Sequence, residues 1–205
     1  MRNTIIILMI AVLFRLTSMH FVNNVKTTNM KNVMHDVLHS YIPDLRYKKV
    51  IEKHYDTYSS IPILMYILLC IYKSNYESLN NYTILFSLMH IIRCIFYSMT
   101  ILPDPSGKCR FGKINSISTF FDFILRGTCG DLIFSGHTAT ILLSWKFLED
   151  DFNIPSCVGL IHTTGMIGTM MTLRKHYSID VIIAILVTSL LYNNKHPIVS
   201  YISDL

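Results

Sequence analysis

Residues 129–138 read Cys129-Gly130-Asp131-Leu132-Ile133-Phe134-Ser135-Gly136-His137-Thr138, and 39 residues beyond His137 a second histidine opens His176-Tyr177-Ser178-Ile179-Asp180-Val181. Two apolar runs lie between the motifs, at about residues 132–148 and 154–173. They are separated by the polar stretch Glu149-Asp150-Asp151-Phe152-Asn153. Runs of similar length joined by a short polar turn predict an antiparallel helical hairpin, which returns His137 and His176 to the same end. The fold reading follows from that hairpin: apolar helices crossing a bilayer, with imidazole chemistry gathered at one face.

Composition agrees with this reading. The 205-residue chain is 51% hydrophobic and only 15% charged, with mean hydropathy +0.41, too apolar for an ordinary soluble domain. We expect an all-α membrane protein, a six-helix transmembrane bundle, with candidate spans at about 4–22, 60–72, 82–102, 132–148, 154–173 and 179–192. The first carries Arg15 and His20 and lacks a small-x-small cleavage site, so it reads as an anchor in preference to a signal peptide. The second is short, and Pro62 near its start suits a first helical turn. The third stops at Pro103-Asp104-Pro105-Ser106-Gly107. The run Ile117 to Leu125 is too short to span and is expected to lie in the interface. The chain divides into N-terminal spans and a basic loop (1–81), a catalytic core (82–196) and a short tail (197–205).

The formal charge of +5 comes from loop residues between apolar runs, which suits lipid headgroups and phosphates and argues against nucleic acid. Five cysteines without a Cys-x-x-Cys pair signal neither zinc nor a disulfide framework, although Cys109 and Cys129 suit a pair in an oxidising lumen. No metal and no cofactor is expected.

Asp180 lies four residues after His176, one helical turn along the same face, where a carboxylate orients an imidazole. Gly136 before His137 lets a phosphate approach the backbone, helix-start amides attract an anion, and Asp131 fits the N-cap. Arg93, costly within an apolar span, reads as a phosphate clamp facing the interior. Lone histidines in apolar helices, His20, His90, His162 and His196, read as satisfied polar groups. Ser135 lacks the Gly-x-Ser-x-Gly turn of a nucleophile. Three ligands without a His-x-x-x-His pair make a weak metal signal.

These motifs resemble the two histidine signatures of the sphingomyelin synthase family. Arg93-Cys94-Ile95 with Thr100-Ile101-Leu102-Pro103-x-Pro105 is similar to its motif at the end of the third span, and Tyr41-Ile42-Pro43-Asp44-Leu45 faintly resembles its first motif. More distantly, Ser135-Gly136-His137 and His176-x-x-x-Asp180 resemble the last two motifs of the type 2 phosphatidate phosphatase superfamily. Met170 stands where that superfamily has an arginine, and its Lys-x6-Arg-Pro motif is absent.

The resemblance implies a multi-pass protein of the Golgi, endoplasmic reticulum or plasma membrane, active in sphingolipid metabolism. It would be a transferase moving phosphocholine, phosphoethanolamine or phosphoinositol from a phospholipid donor to ceramide or diacylglycerol. Catalysis would fall to His137, His176 and Asp180, and substrate binding to Arg93, Asp131, Ser135, Gly136 and Tyr177. Arg93, Lys108, Arg110 or Arg174 would neutralise the phosphoryl oxygens. The alternatives are a lipid phosphate phosphatase and a non-catalytic lipid-binding protein. Loops on the histidine side hold twelve lysines and arginines against four opposite, which by the positive-inside rule makes the active face cytosolic. The resemblance implies a luminal or exoplasmic face, and that orientation is preferred here because some of these charges would serve phosphate.

Overall fold

The structure, a computed structural model, describes residues 2–24, 34–47, 49–106 and 132–203. Among the described residues every regular element is a helix: α1 (Arg2–Asn24), α2 (Val37–Tyr41), α3 (Lys49–Tyr72), α4 (Tyr76–Met99), α5 (Gly136–Phe152), α6 (Ser156–Thr172), α7 (Ser178–Asn193) and α8 (Lys195–Ser203). Each of the six expected spans falls on one of the six long helices. By length and apolarity only two are fit to cross a membrane alone, at Asn3–Val22 and Tyr76–Met99; α7 and α8 qualify as a pair bent by 65°. The described residues are thus all-helical in their regular elements, with two clear candidate spans. At 17 residues each, α5 and α6 reach about 25 Å, short of a bilayer core of roughly 30 Å.

The second span corrects the sequence expectation most. α3 begins at Lys49, so Pro62 lies deep inside the helix and not in its first turn. Tyr55, Ser59, Pro62, Tyr66 and Cys70 form one buried stripe at helical spacing. The polar first half of α3 is therefore the same rod as its apolar second half.

α5 sits centrally, packed against α3, α4, α6 and α7, while α1 lies along α4. α5 and α6 approach closely because residue 159 is glycine: a Cβ there would meet the Trp145 side chain at 3.1 Å. Trp145 Nε1 donates to His162 Nδ1 at 3.1 Å, but among the described residues His162 Nε2 and His90 Nδ1 are buried without a hydrogen-bond partner, which corrects the expectation that these two histidines are satisfied polar groups. Large apolar side chains on the outer faces remain exposed, among them Leu160 and Ile161 on α6 and Ile182, Leu186 and Leu190 on α7, as lipid-facing surfaces require.

The two ends of the bundle are polar and distinct. At one, Tyr66 and Ser78 both donate to Asp151, and Lys195 Nζ donates to Asp150 at 2.6 Å, joining α3, α4, α5 and α8. At the other, Leu45 N donates to Thr172 O at 2.9 Å, which brings the 34–47 segment beside the end of α6. Cys70, Cys94 and Cys157 are free thiols, and Cys109 and Cys129 lie outside the described residues. So do Lys108, Arg110 and the run from Ile117 to Leu125.

This arrangement makes a topological prediction. Single cysteines replacing Tyr47 and Asn153 should react with a membrane-impermeant maleimide from opposite sides of sealed vesicles. Labelling of both from one side would break the antiparallel hairpin.

Candidate active site

The turn before α7 is organised around Asp180, whose residue is wholly buried. Its Oδ2 lies 3.1 Å from His176 Nδ1 and accepts from Tyr177 N at 2.9 Å. Its Oδ1 accepts from Ile133 N at 3.0 Å, and its backbone carbonyl accepts from Ser135 N at 3.1 Å. One residue thus ties the second histidine motif to the first. The tie holds a strained loop: Ile133 has φ +70°, a region β-branched residues avoid, and Arg174 on the other side has φ +55°.

α5 starts at Gly136 with Ser135 as N-cap, its hydroxyl accepting from Thr138 N at 3.3 Å. This corrects the expectation that Asp131 caps the helix. Residues 132–135 are needed as an irregular connector to reach Asp180, so the helix cannot begin sooner. Asp131 itself lies outside the described residues. Ser135 is fully buried and donates to Met170 Sδ at 3.3 Å, so its hydroxyl faces the core. The same contact explains why Met170 cannot stand in for a phosphate-binding arginine. Tyr177 is 3% exposed, and its hydroxyl donates to Pro103 O at 2.9 Å and accepts from Met34 N at 3.2 Å.

Arg93 is buried and faces the bundle interior. Its Nε donates to Phe134 O at 3.1 Å, and its guanidinium lies against Gly136, where a Cβ would stand 3.0 Å from Arg93 Cζ. The missing side chain at 136 leaves the space that admits this cation beside His137.

The described structure adds partners that the motifs do not contain. Asp56 of α3 brings Oδ1 to 3.4 Å from His137 Nε2 and to 3.6 Å from Lys175 Nζ. The hydrogen bond with His137 holds its carboxyl below the usual carboxylate range; burial opposes this and the charge of Lys175 assists. Tyr55 meets the His137 ring edge-on at a centroid distance of 5.2 Å, and Lys175 Nζ lies 4.7 Å from the Tyr55 ring centre. Each histidine therefore has its own carboxylate. The sequence hint for Asp56 was the 55, 59, 62, 66, 70 stripe, which makes α3 one continuous helix reaching the site.

A second group braces the turn from outside. Asp36 Oδ2 accepts from Ser178 N at 2.6 Å and Ser178 Oγ at 2.9 Å, and His39 Nε2 lies 3.1 Å from His176 O. Arg174 Nη2 donates to the carbonyls of His39 at 2.7 Å and Ile42 at 2.9 Å. Arg174 is accordingly a strut that fastens the 34–47 segment through Nη2. Among the described residues no group of three His, Cys, Asp or Glu side chains has the geometry of a metal site.

The family model described as PAP2 superfamily C-terminal matches residues 128–197, a segment that contains His137, His176 and Asp180. Human phosphatidylcholine:ceramide cholinephosphotransferase 2 is 26% identical over 127 residues, covering 53% of this chain and 35% of that protein. Human sphingomyelin synthase-related protein 1 is 26% identical over 197 residues, 79% of this chain and 47% of that protein. A putative phosphatidylcholine:ceramide cholinephosphotransferase 3 of Caenorhabditis elegans is 28% identical over 130 residues, 53% and 38% respectively. The chain is thus similar to sphingomyelin synthases and carries a PAP2-type C-terminal segment. It spans less than half the length of these relatives. The matched segment supplies both histidines and Asp180, while Asp56, Asp36 and Arg93 come from residues before it.

Two outcomes follow from the geometry. Gly136→Ala should leave the fold intact, because the opposing atoms end a flexible side chain, yet should displace Arg93 and lower activity about tenfold, the effect of a misplaced charged contact. Wild-type turnover in that variant would free Arg93 from any role. Asp36→Ala should cost about 1–3 kcal/mol at pH 7, the usual loss of a charge-assisted hydrogen bond. Burial raises the Asp36 carboxyl, but hydrogen bonds from Ser178 and His39 bring it net below its ordinary value. A lowered folded pKa contributes stability that is complete above the unfolded value of about 3.9 and fades as pH falls through the folded one. The gap between the melting curves of the two proteins should therefore narrow as pH falls below the ordinary carboxylate range; a constant gap would contradict the assignment.

Proposed function

We propose that the chain is an integral membrane phosphotransferase that moves a phospholipid headgroup, phosphocholine, phosphoethanolamine or phosphoinositol, to ceramide or diacylglycerol through a phosphohistidine. The observation that carries this reading is the pairing of each of two histidines with its own carboxylate at one end of a bundle of apolar helices. That a human and a Caenorhabditis elegans relative are named for transfer between phosphatidylcholine and ceramide supports it.

His176 Nδ1 faces Asp180, which leaves Nε2 to attack phosphorus. As the new P–N bond forms, the P–O bond to diacylglycerol breaks and His137 protonates the departing oxygen. The acceptor hydroxyl then attacks the phosphohistidine, passes its proton to His137, and releases Nε2. Arg93, and Lys175 beside Asp56, are the described cations best placed to offset charge on the phosphoryl oxygens. The site lies where the polar half of α3 meets the helix ends, so both lipids would present their polar groups without leaving the membrane.

Among alternatives, a lipid phosphate phosphatase has one supporting observation, the PAP2 superfamily match, since water can replace the acceptor. Met170, turned into the core to receive the Ser135 hydroxyl, weighs against it.

Purified protein in vesicles of defined composition should transfer headgroup label to ceramide or diacylglycerol, measured by mass spectrometry of the products. Release of inorganic phosphate from phosphatidic acid alone would establish the phosphatase. With donor labelled at phosphorus and rapid alkaline quenching, label should be trapped on His176. Asp180→Asn should slow its appearance about a hundred- to ten-thousand-fold, the loss expected when an imidazole is deprived of its orienting carboxylate. Label on His137 would reverse the roles.

A further inference from the structure

We propose that the cavity between α5 and α6, at the end of the bundle away from the histidines, is a second lipid site. It holds one zwitterionic phospholipid that does not react, with its phosphate on Lys146, its ammonium on Glu149 and the start of one acyl chain against Trp145. The site is separate from the histidines and does not depend on the transferase reading.

The cavity has a volume of about 170 Å³, and Leu142 and Trp145 of α5 and Ile154 and Leu160 beyond the turn supply its apolar wall. The indole is fixed in place, its Nε1 donating to His162 Nδ1 at 3.1 Å and its Cβ and Cγ lying against Gly159. Leu160 is itself exposed, as are Val158 and Ile161 beside it, so the cavity borders the lipid-facing surface of α6. Water would find few polar partners against such a wall, whereas hydrocarbon fills it without loss. Location adds a second reason. The cavity adjoins the α5–α6 turn, and a hairpin shorter than the bilayer core leaves a step at its end that lipid must fill.

Charge decides the headgroup. Lys146 and Glu149 both line the cavity, three residues apart on α5, and among the described residues neither is in an ion pair. Lys146 Nζ lies 5.2 Å from the centre of the Tyr192 ring, while Asp150, one turn further along α5, is taken by Lys195 at 2.6 Å and by the Tyr192 hydroxyl. Glu149 accepts from the Ser156 hydroxyl, which also lines the cavity. Opposite charges at this helical spacing attract each other. A headgroup that carries both charges satisfies the two side chains at once, without drawing them together. An anionic phospholipid would instead add negative charge beside Glu149, Asp150 and Asp151, and an uncharged lipid would leave Lys146 and Glu149 as they are.

Trp145 is the single tryptophan of the chain, so its fluorescence reports on this cavity. The experiment places the protein in phosphatidylglycerol vesicles without acceptor and titrates in phosphatidylcholine brominated near the top of its acyl chains. Quenching should saturate while the brominated lipid is still a minor component, with an affinity about tenfold above that of bulk lipid, the worth of one charge-assisted contact. Lys146→Gln and Glu149→Gln should each bring that affinity to within about twofold of bulk. Leu142→Phe should remove the saturable part by filling the cavity. A lipid held between the histidines is about 12 Å away, eight residues along α5, and quenching from there would be the same in all three variants. Quenching that tracks mole fraction in the wild type marks ordinary contact with the bilayer and overturns the site. So does saturation by brominated phosphatidylglycerol titrated into phosphatidylcholine vesicles, or wild-type saturation in both charge variants, which lie outside the core and keep the test decisive if Leu142→Phe fails to fold.

Discussion

The bond network of the Asp180 carboxylate is the constraint on which the site depends. A buried anion costs several kcal/mol unless its lone pairs are met. Here they are met by a ring nitrogen, the amide of Tyr177 and the amide of Ile133. The last of these comes from the other histidine motif, so the carboxylate can be satisfied only when the loop before α5 and the turn before α7 are both in place. Folding of the hairpin and assembly of the site are the same event. The left-handed Ile133 is tolerable for the same reason: its amide is the third donor, and relaxing it would orphan a buried oxygen.

The bundle separates its polar work by position. In the apolar middle, polar groups meet one another in isolated pairs, such as Tyr82 with Ser144 at 3.0 Å. At the end away from the histidines, Asp150 and Asp151 gather Tyr66, Ser78, Tyr192 and Lys195 into clasps between helices. At the histidine end the same kind of bonding is directed onto one turn, with Asp36, His39 and Arg174 fixing the backbone on both sides of His176. The external brace fixes a short stretch of irregular chain, and with it the His176 ring, at this end of the bundle.

Much of this was legible in the sequence where it rested on local spacing. Apolar runs about a polar turn gave the α5–α6 hairpin, and the i, i+4 relation gave His176 with Asp180. Arg93 was readable as an interior cation because a guanidinium in an apolar run needs a reason. Asp56 was not readable, because it stands 81 residues before His137 among Lys53, His54 and other polar residues of an ordinary-looking loop. A search for apolar runs starts the second span at Ser60, and only the period of the buried stripe carries the helix back to Lys49. Asp131 was favoured as a cap because aspartate is a strong one, but Ser135 is nearly as good, and the reach to Asp180 decided between them. The role of Arg174 depended on carbonyls of a segment more than a hundred residues earlier, which no local pattern announces.

The two histidine–carboxylate pairs are unequal in a way that suits a division of labour. His176 and Asp180 are buried, 3.1 Å apart, and bound on the far side by backbone amides, so the ring has one orientation. His137 and Asp56 are 3.4 Å apart and partly open, and Asp56 divides its oxygen between the ring and Lys175. A nucleophile that must approach phosphorus in line gains from a single fixed direction. A group that first gives a proton and later takes one gains from a carboxylate whose hold can vary with the charge around it, since neither protonation state is then over-stabilised. Lys175 would supply that variation: seated on Asp56 it competes for the oxygen that would favour imidazolium, and drawn toward a phosphate it would release it. Arrival of the phosphate would thus strengthen the protonated form of His137 at the stage when a departing oxygen needs its proton.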